Sequence, residues 1–232
     1  VKKKVLIIKL GYCETLVNET GFVPSLGDVF RHTVLLHYYA NDEVTWLTSA
    51  SARPLLEDNP YIHEIITFQD GIDKVLAGMD FDEVLCLEKS AMLCDIADSI
   101  KCTRRLGFKS TNGSPHACRG AEPAIEIANG RDSFLPIQAH LYQMVDAYWN
   151  GEKYVLGYQP KTKEQFDVGF NFRVGSKWPS KQWPEKHWKQ LERYLLKHNL
   201  SVSWQKGESD LKDYIDWIAS NRLIVTGDSL GM

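Results

Sequence analysis

Asp28 is the first residue whose type and setting suggest chemistry. It lies in "VPSLGDVFRHTVLL" (23–36), shortly after a hydrophobic run and at the start of an apolar-periodic stretch. A carboxylate at such a strand-to-helix corner can act in two ways. Either it or Ser25 can cap the helix, with Gly27 relaxing the backbone beside it. Alternatively, at the carboxyl edge of a parallel sheet it faces the crevice where such sheets bind ligands, and there it can take a proton from a substrate hydroxyl.

A second group is cationic. In "GSKWPSKQWPEKHW" (175–188), Lys177 and Lys181 flank a strand-to-helix loop, and the helix that follows opens on Pro184-Glu185. Backbone N–H groups and the helix dipole favour an anion at such a place, and a lysine adds a point charge suited to phosphate. The plainer reading is solvated lysines beside core tryptophans Trp178, Trp183 and Trp188. A third group closes the chain, in "IVTGDSLGM" (224–232). Ser229 can donate to a phosphate, Gly231 allows close backbone approach, and Asp228 can accept from a ribose. Taken alone, Gly-Asp-Ser after a strand is only a turn signal. No GxGxxG follows the first strand and no GxxxxGK[ST] occurs, so the nicotinamide and P-loop readings lack their motifs.

These groups need a scaffold, and the hydrophobic pattern supplies one. "KVLIIKL" (4–10) is a continuous apolar run of the kind buried on both faces in a parallel sheet. Further strands are predicted at 43–49, 61–68, 81–88 and 102–108. Helices are predicted between them: 28–39, "SARPLLED", "DGIDKVLAG" and "SAMLCDIADSI". Residues 107–136 are rich in Gly, Ser, Asn and Pro, with "STNGSPHACRG" the least patterned part; an amphipathic helix at 136–151 follows. After a linker at 158–165 come strand 166–172, helix 184–199, strand 200–205, helix 209–220 and strand 222–229. Alternating strands and helices argue for an α/β protein with two Rossmann-like domains, 1–157 and 158–232. The second domain is expected to be the start of a sheet that Met232 cuts short. Between the first strand and Gly27-Asp28 lies an unusually long connection, "GYCETLVNETGFVPS" (11–25), readable as a lid or substrate-contacting loop or as a plain surface insertion.

Composition narrows the function classes. The chain has 232 residues, 44% hydrophobic and 25% charged, as soluble globular proteins do. A net charge of −3 carries no polyanion signature, so nucleic acid is not expected as a partner. "VKKKVLIIKL" mimics a secretory leader, but Lys9 breaks its apolar part, and no run is long enough to span a membrane. A cytoplasmic protein is expected, with room for peripheral contact at a membrane surface. The cysteines Cys13, Cys86, Cys94, Cys102 and Cys118 form no CxxC pair. Cys94, Cys102, His116 and Cys118 match no usual zinc spacing, so reduced structural thiols are expected.

Four stretches together resemble glycosyltransferase family 9, the ADP-heptose:lipopolysaccharide heptosyltransferases. They are SLGDV before the first helix, "PLLEDNPYIHEII" (54–66), "KWPSKQWPEKHWKQL" (177–191) and "LIVTGDSLGM" (223–232), in family order over nearly the whole chain. The resemblance implies the GT-B fold, in which the N-terminal domain takes the acceptor and the C-terminal domain the nucleotide-sugar. It implies inverting transfer with no metal and no cofactor beyond the donor, ADP-heptose or a similar nucleotide-sugar, and a glycolipid or glycan acceptor of the cell envelope. Asp28 then matches the general base, with Ser25 and Gly27 beside it on the acceptor side. Lys181 matches the phosphate-contacting lysine, with Lys177 nearby, while Asp228, Ser229 and Gly231 fall in the donor segment D-[ST]-x-x-x-H. The long 11–25 loop departs from the family, as does the end at Met232, where the family would next place a histidine. A helix N-terminus also lowers a carboxylate's basicity, so an Asp28 base requires a solvent-poor site. The rival class is a non-catalytic nucleotide- or sugar-binding protein of the same fold. A sugar-nucleotide epimerase would instead need a bound dinucleotide.

Overall fold

The computed structural model describes residues 2–12, 23–128, 133–174, 179–207 and 210–227. The chain forms two compact units, Val1–Gly157 and Tyr158–Met232.

The first unit is built on β1 (Lys4–Ile8), β2 (Glu43–Thr48), β3 (Glu64–Thr67), β4 (Glu83–Cys86), β5 (Arg104–Thr111) and β6 (Ser114–Ala117), in sheet order β3-β2-β1-β4-β5-β6. β1 through β5 pair in parallel. β1 lies between β2 and β4, and Val5 through Ile8 have no solvent exposure, as an apolar strand covered on both faces requires. The strand order reverses at β1, so the sheet has its switch point between β1 and β4. Helices α1 (Leu26–His32), α2 (Arg53–Leu56), α3 (Ile72–Ala77) and α4 (Ala91–Ser99) make the crossovers.

Three local features depart from the sequence expectation. The single helix expected over 28–39 is two pieces, α1 followed by a 3-10 helix at Thr33–His37. Thr33 sits at the join: its hydroxyl donates back to the Phe30 carbonyl at 2.7 Å and accepts the Val155 N–H at 2.9 Å. Such side-chain competition for helical carbonyls tightens or bends a helix. The "STNGSPHACRG" stretch is not structureless. It is an antiparallel hairpin, β5 to β6, turning on Asn112 (φ 52°) and Gly113 (φ 72°), the left-handed pair that a two-residue hairpin loop demands. α5 (Glu122–Ala128) comes next, then α6 (Ile137–Met144), shorter than the 136–151 expected; at Asp146 the backbone is left-handed and the carboxylate accepts from Arg104 at 2.6 Å.

The second unit has β7 (Phe166–Asn171), β8 (Val202–Trp204) and β9 (Asn221–Thr226) in parallel order β8-β7-β9, with α7 (Glu185–Lys197) and α8 (Leu211–Ala219). Val168, Phe170 and Trp188 form its core, and Phe172, Leu191, Leu195, Val202, Trp204 and Val225 pack against them. Ring pairs Phe170–Trp188 and Phe170–Trp204 stand 5.2 and 5.0 Å apart. The expected linker is tied down here: Asp216 accepts from the Tyr158 hydroxyl (3.0 Å) and the Lys161 N–H (2.7 Å). This is the α/β, Rossmann-like architecture that the sequence pattern implies.

Candidate functional site

The switch point of the first sheet carries a buried cluster of charge. Lys9 extends from the end of β1 and has no solvent exposure; Glu88, two residues past β4, has none either; Asp28 on α1 is 2% exposed. The Lys9 ammonium is ion-paired with Asp28 Oδ2 and lies 3.3 Å from Glu88 Oε1. That same Glu88 oxygen accepts the N–H groups of Leu10 (2.7 Å) and Gly11 (2.6 Å). Gly11 has φ +88°, and a Cβ there would lie 2.7 Å from the Ser25 carbonyl oxygen. The glycine therefore lets the chain leaving β1 run against the start of α1, where the Ser25 N–H donates to the Gly11 carbonyl at 2.8 Å. The ends of the 11–25 connection are thereby pinned together, while its residues 13–22, including Cys13, lie outside the described residues.

The helix periodicity places the remaining partners. Arg31 and His32 follow Asp28 by three and four residues, which sets all three on one face of α1. A guanidinium nitrogen of Arg31 bonds Asp28 Oδ1, and His32 Nδ1 lies 2.5 Å from the Asp28 carbonyl oxygen, to which it donates. Burial alone would oppose ionisation of Asp28, but the charges of Lys9, of His32 once it is protonated, and of Arg31 hold its carboxyl far below the usual carboxylate range. Burial and the Lys9 charge hold the His32 imidazole down to about 3, so it is neutral at physiological pH. Burial works against the Lys9 ammonium, yet Asp28 and Glu88 more than offset it and raise its pKa.

The capping role expected for Ser25 and Asp28 is not what the structure shows. Ser25 occupies the N-cap position with an extended backbone but makes no side-chain cap bond, and Gly27 is simply the second residue of α1. The Asp28 carboxylate is turned to Lys9 and Arg31.

In the second unit, Lys181 ends a 3-10 turn, Pro179–Lys181, ahead of α7. Gln182 anchors this loop by donating to the Phe172 carbonyl at 2.8 Å. A Cβ on Gly227 would lie 3.3 Å from the Lys181 carbonyl oxygen, so the end of β9 runs beside the Lys181 loop. Asn171, at the end of β7, donates to the Thr226 hydroxyl at 2.8 Å and ties these strand ends together. Lys177, Trp178, Asp228, Ser229 and Gly231 lie outside the described residues. Of the expected core tryptophans, Trp188 is buried, whereas Trp183 is 43% exposed and stacks on His187 at 5.4 Å.

No family model matches the chain, and no curated protein matches it in sequence. Solved structures match it in fold. Two structures of the E. coli heptosyltransferase WaaC, one with ADP-2-deoxy-2-fluoro heptose and one with ADP, each give a TM-score of 0.60 at 12% and 13% identity. They cover 98% of this chain and 83% and 82% of their own. The chain has the heptosyltransferase fold. A glycosyl transferase family 9 structure from Veillonella parvula matches with a TM-score of 0.50 and 16% identity, over 97% of this chain and 70% of that one.

Within this heptosyltransferase fold, sequence reasoning found Asp28 but missed the groups around it. Lys9 was legible as a charge inside an otherwise apolar buried strand, and Arg31 and His32 by helical spacing from Asp28. Glu88 carried no signal beyond following a strand. Among the described residues no three His, Cys, Asp or Glu side chains gather in metal-binding geometry. Cys86 and Cys94 are buried, and both thiols face the Glu88 carbonyl, at 3.6 and 3.4 Å. No described helix is long and apolar enough to cross a membrane.

Proposed function

We propose that this chain is an inverting, metal-independent glycosyltransferase. It moves a sugar, heptose foremost, from a nucleoside diphosphate donor to a lipopolysaccharide-type or related cell-envelope glycan, working in the cytoplasm and in peripheral contact with the inner membrane. The observation that carries this reading is the heptosyltransferase fold over 98% of the chain, with Asp28 on α1 beside the switch point of the first sheet. The WaaC structures with ADP and an ADP-heptose analogue support a nucleotide-sugar as donor.

In this reading the acceptor hydroxyl gives its proton to Asp28 as its oxygen bonds the anomeric carbon. The bond from that carbon to the diphosphate breaks on the opposite face, and the configuration inverts. Charge builds on the departing diphosphate, where Lys181 and Lys177 stabilise it and Asp228, Ser229 and Gly231 complete the donor side. Ser25 and Gly27 shape the acceptor side next to Asp28. Asp28 is ionised at neutral pH, as a base must be, but its two cationic partners leave it weakly basic until one of them withdraws.

One observation favours a second reading. A carboxylate 2% exposed and held by Lys9 and Arg31 is also what a purely structural ion pair looks like, as in a non-catalytic nucleotide- or sugar-binding protein. Asp28→Asn separates the two. With ADP-heptose and deacylated lipopolysaccharide core oligosaccharides as probes, a base predicts kcat lower by about 10²- to 10⁴-fold with ADP affinity by calorimetry unchanged. Wild-type transfer in that variant would remove Asp28 from the reaction. Donor binding without transfer in the unaltered protein would establish the second reading.

A further inference from the structure

We propose that Arg31 is the gate on Asp28: its guanidinium holds the place on Oδ1 that an incoming hydroxyl must take, and it opens toward solvent. The inference rests on Asp28 being the base and goes further, to what controls access to it.

The described partners of Asp28 differ in their freedom to move. Lys9 is wholly buried and anchored three ways, by Asp28, by Glu88 at 3.3 Å and by the Leu87 carbonyl at 3.4 Å. His32 has a side chain 8% exposed, with Nδ1 committed to the Asp28 backbone. The Arg31 side chain is 36% exposed, so it reaches both the buried carboxylate and water. Its bonding is also incomplete: Nε is buried and has no hydrogen-bond partner among the described residues. A buried donor left unsatisfied carries a desolvation penalty that rotation into solvent relieves, offsetting part of the loss of the Oδ1 contact. A proton can pass to Asp28 only from an oxygen within hydrogen-bond reach, and the guanidinium now fills that reach at Oδ1. Its departure does two things together. It vacates the contact, and it removes one of the two positive charges that suppress the basicity of Asp28. Lys9 stays and keeps the carboxylate in position.

Two measurements on the full chain test this. The first is labelling with a carbodiimide and glycine ethyl ester, followed by peptide mass spectrometry, scoring at Asp28 both the ester adduct and the isopeptide cross-link to Lys9. Asp28 in the unaltered protein should be protected. Arg31→Ala and Arg31→Gln should raise its modification by about ten-fold or more, the worth of one charge-assisted hydrogen bond, and Arg31→Lys should restore protection. Arg31→Gln keeps the length of the side chain and serves as the reading should the alanine variant not fold. Equal modification of Asp28 in the unaltered and Gln proteins overturns the gate.

The second measurement is ADP release from ADP-heptose without acceptor. Here water bonds the anomeric carbon, the bond to the diphosphate breaks, and the water proton goes to Asp28. Opening the gate should raise this hydrolysis by about ten-fold, and adding Asp28→Asn should cancel the rise. Labelling that rises while ADP release ignores Asp28 removes the base and the gate with it, leaving Arg31 only a cover on the carboxylate. Unchanged labelling, with transfer abolished in Asp28→Asn, removes the gate and leaves the base.

Discussion

A carboxylate serves as a base only if its surroundings keep it ionised without making it useless as a proton acceptor. The cluster around Asp28 sits at one extreme of that balance, and it makes folding sensitive to acid. His32, buried and held down to about 3, binds no proton in the folded chain over a range where the unfolded chain, titrating near 6.5, does. Its contribution to stability is therefore complete above 6.5 and drains away as pH falls toward 3. Asp28, also depressed, acts in the same direction lower down: its contribution is complete above the ordinary value of 3.8 and is lost as pH falls below it. Urea unfolding between pH 7.5 and 4 should thus show stability falling with acidification, at up to about 1.4 kcal/mol per pH unit for one proton. His32→Gln should flatten this fall between pH 6.5 and 4, where Asp28 does not yet contribute to it. A slope in that variant matching the unaltered protein throughout would mean that His32 is not the group responsible.

At the scale of elements, the loops and turns decide where the chemistry sits. The crossover after β1 returns to the sheet because Gly11 lets the chain pass against Ser25, and α1 then starts where its third residue meets Lys9. The β5–β6 hairpin shows the same dependence on left-handed backbone. Its Asn-Gly pair is a strong turn signal, yet the hairpin was hard to read because β6, "SPHA", is a short edge strand with a proline and no apolar alternation. Gly113→Ala should cost about 1–2 kcal/mol and speed amide exchange across Thr111 and Ser114 while leaving β1–β4 protected. Uniform loss of protection through the whole sheet would show that the hairpin is not a local unit. The break of α1 into a 3-10 turn was likewise hidden, since the apolar spacing over 28–39 fits one helix and only the Thr33 hydroxyl interrupts it.

At the scale of the whole molecule, two sheets of mainly parallel strands in one chain give two carboxyl edges, one holding Asp28 and the other holding Lys181 beside the end of β9. Donor binding is proposed for the second. A ligand that binds only the folded state stabilises it by mass action, about 2.7 kcal/mol at a hundred times its dissociation constant. ADP should accordingly raise the thermal midpoint by several degrees, and Lys181→Ala should reduce that rise, measured in each protein against its own midpoint without ADP. An equal rise in both proteins would take Lys181 off the donor side.

The sequence by itself determined the class of fold. Strands buried on both faces must be continuous apolar runs, and helices covering them must be amphipathic, so the α/β alternation was written locally in "KVLIIKL", "EVTWLTS" and "FDEVLCLE". It also marked Asp28, because a carboxylate beside Gly27 where strand gives way to helix is conspicuous. What Asp28 faces was decided only in three dimensions. Sheet order sets β4 against β1 and brings Glu88 to a backbone amide 78 residues away at Leu10, and no local pattern encodes such a partner. The same packing removed Lys9 from water, and in that low-dielectric setting one ammonium, with Arg31 behind it, governs the acidity of the carboxylate that the sequence had picked out.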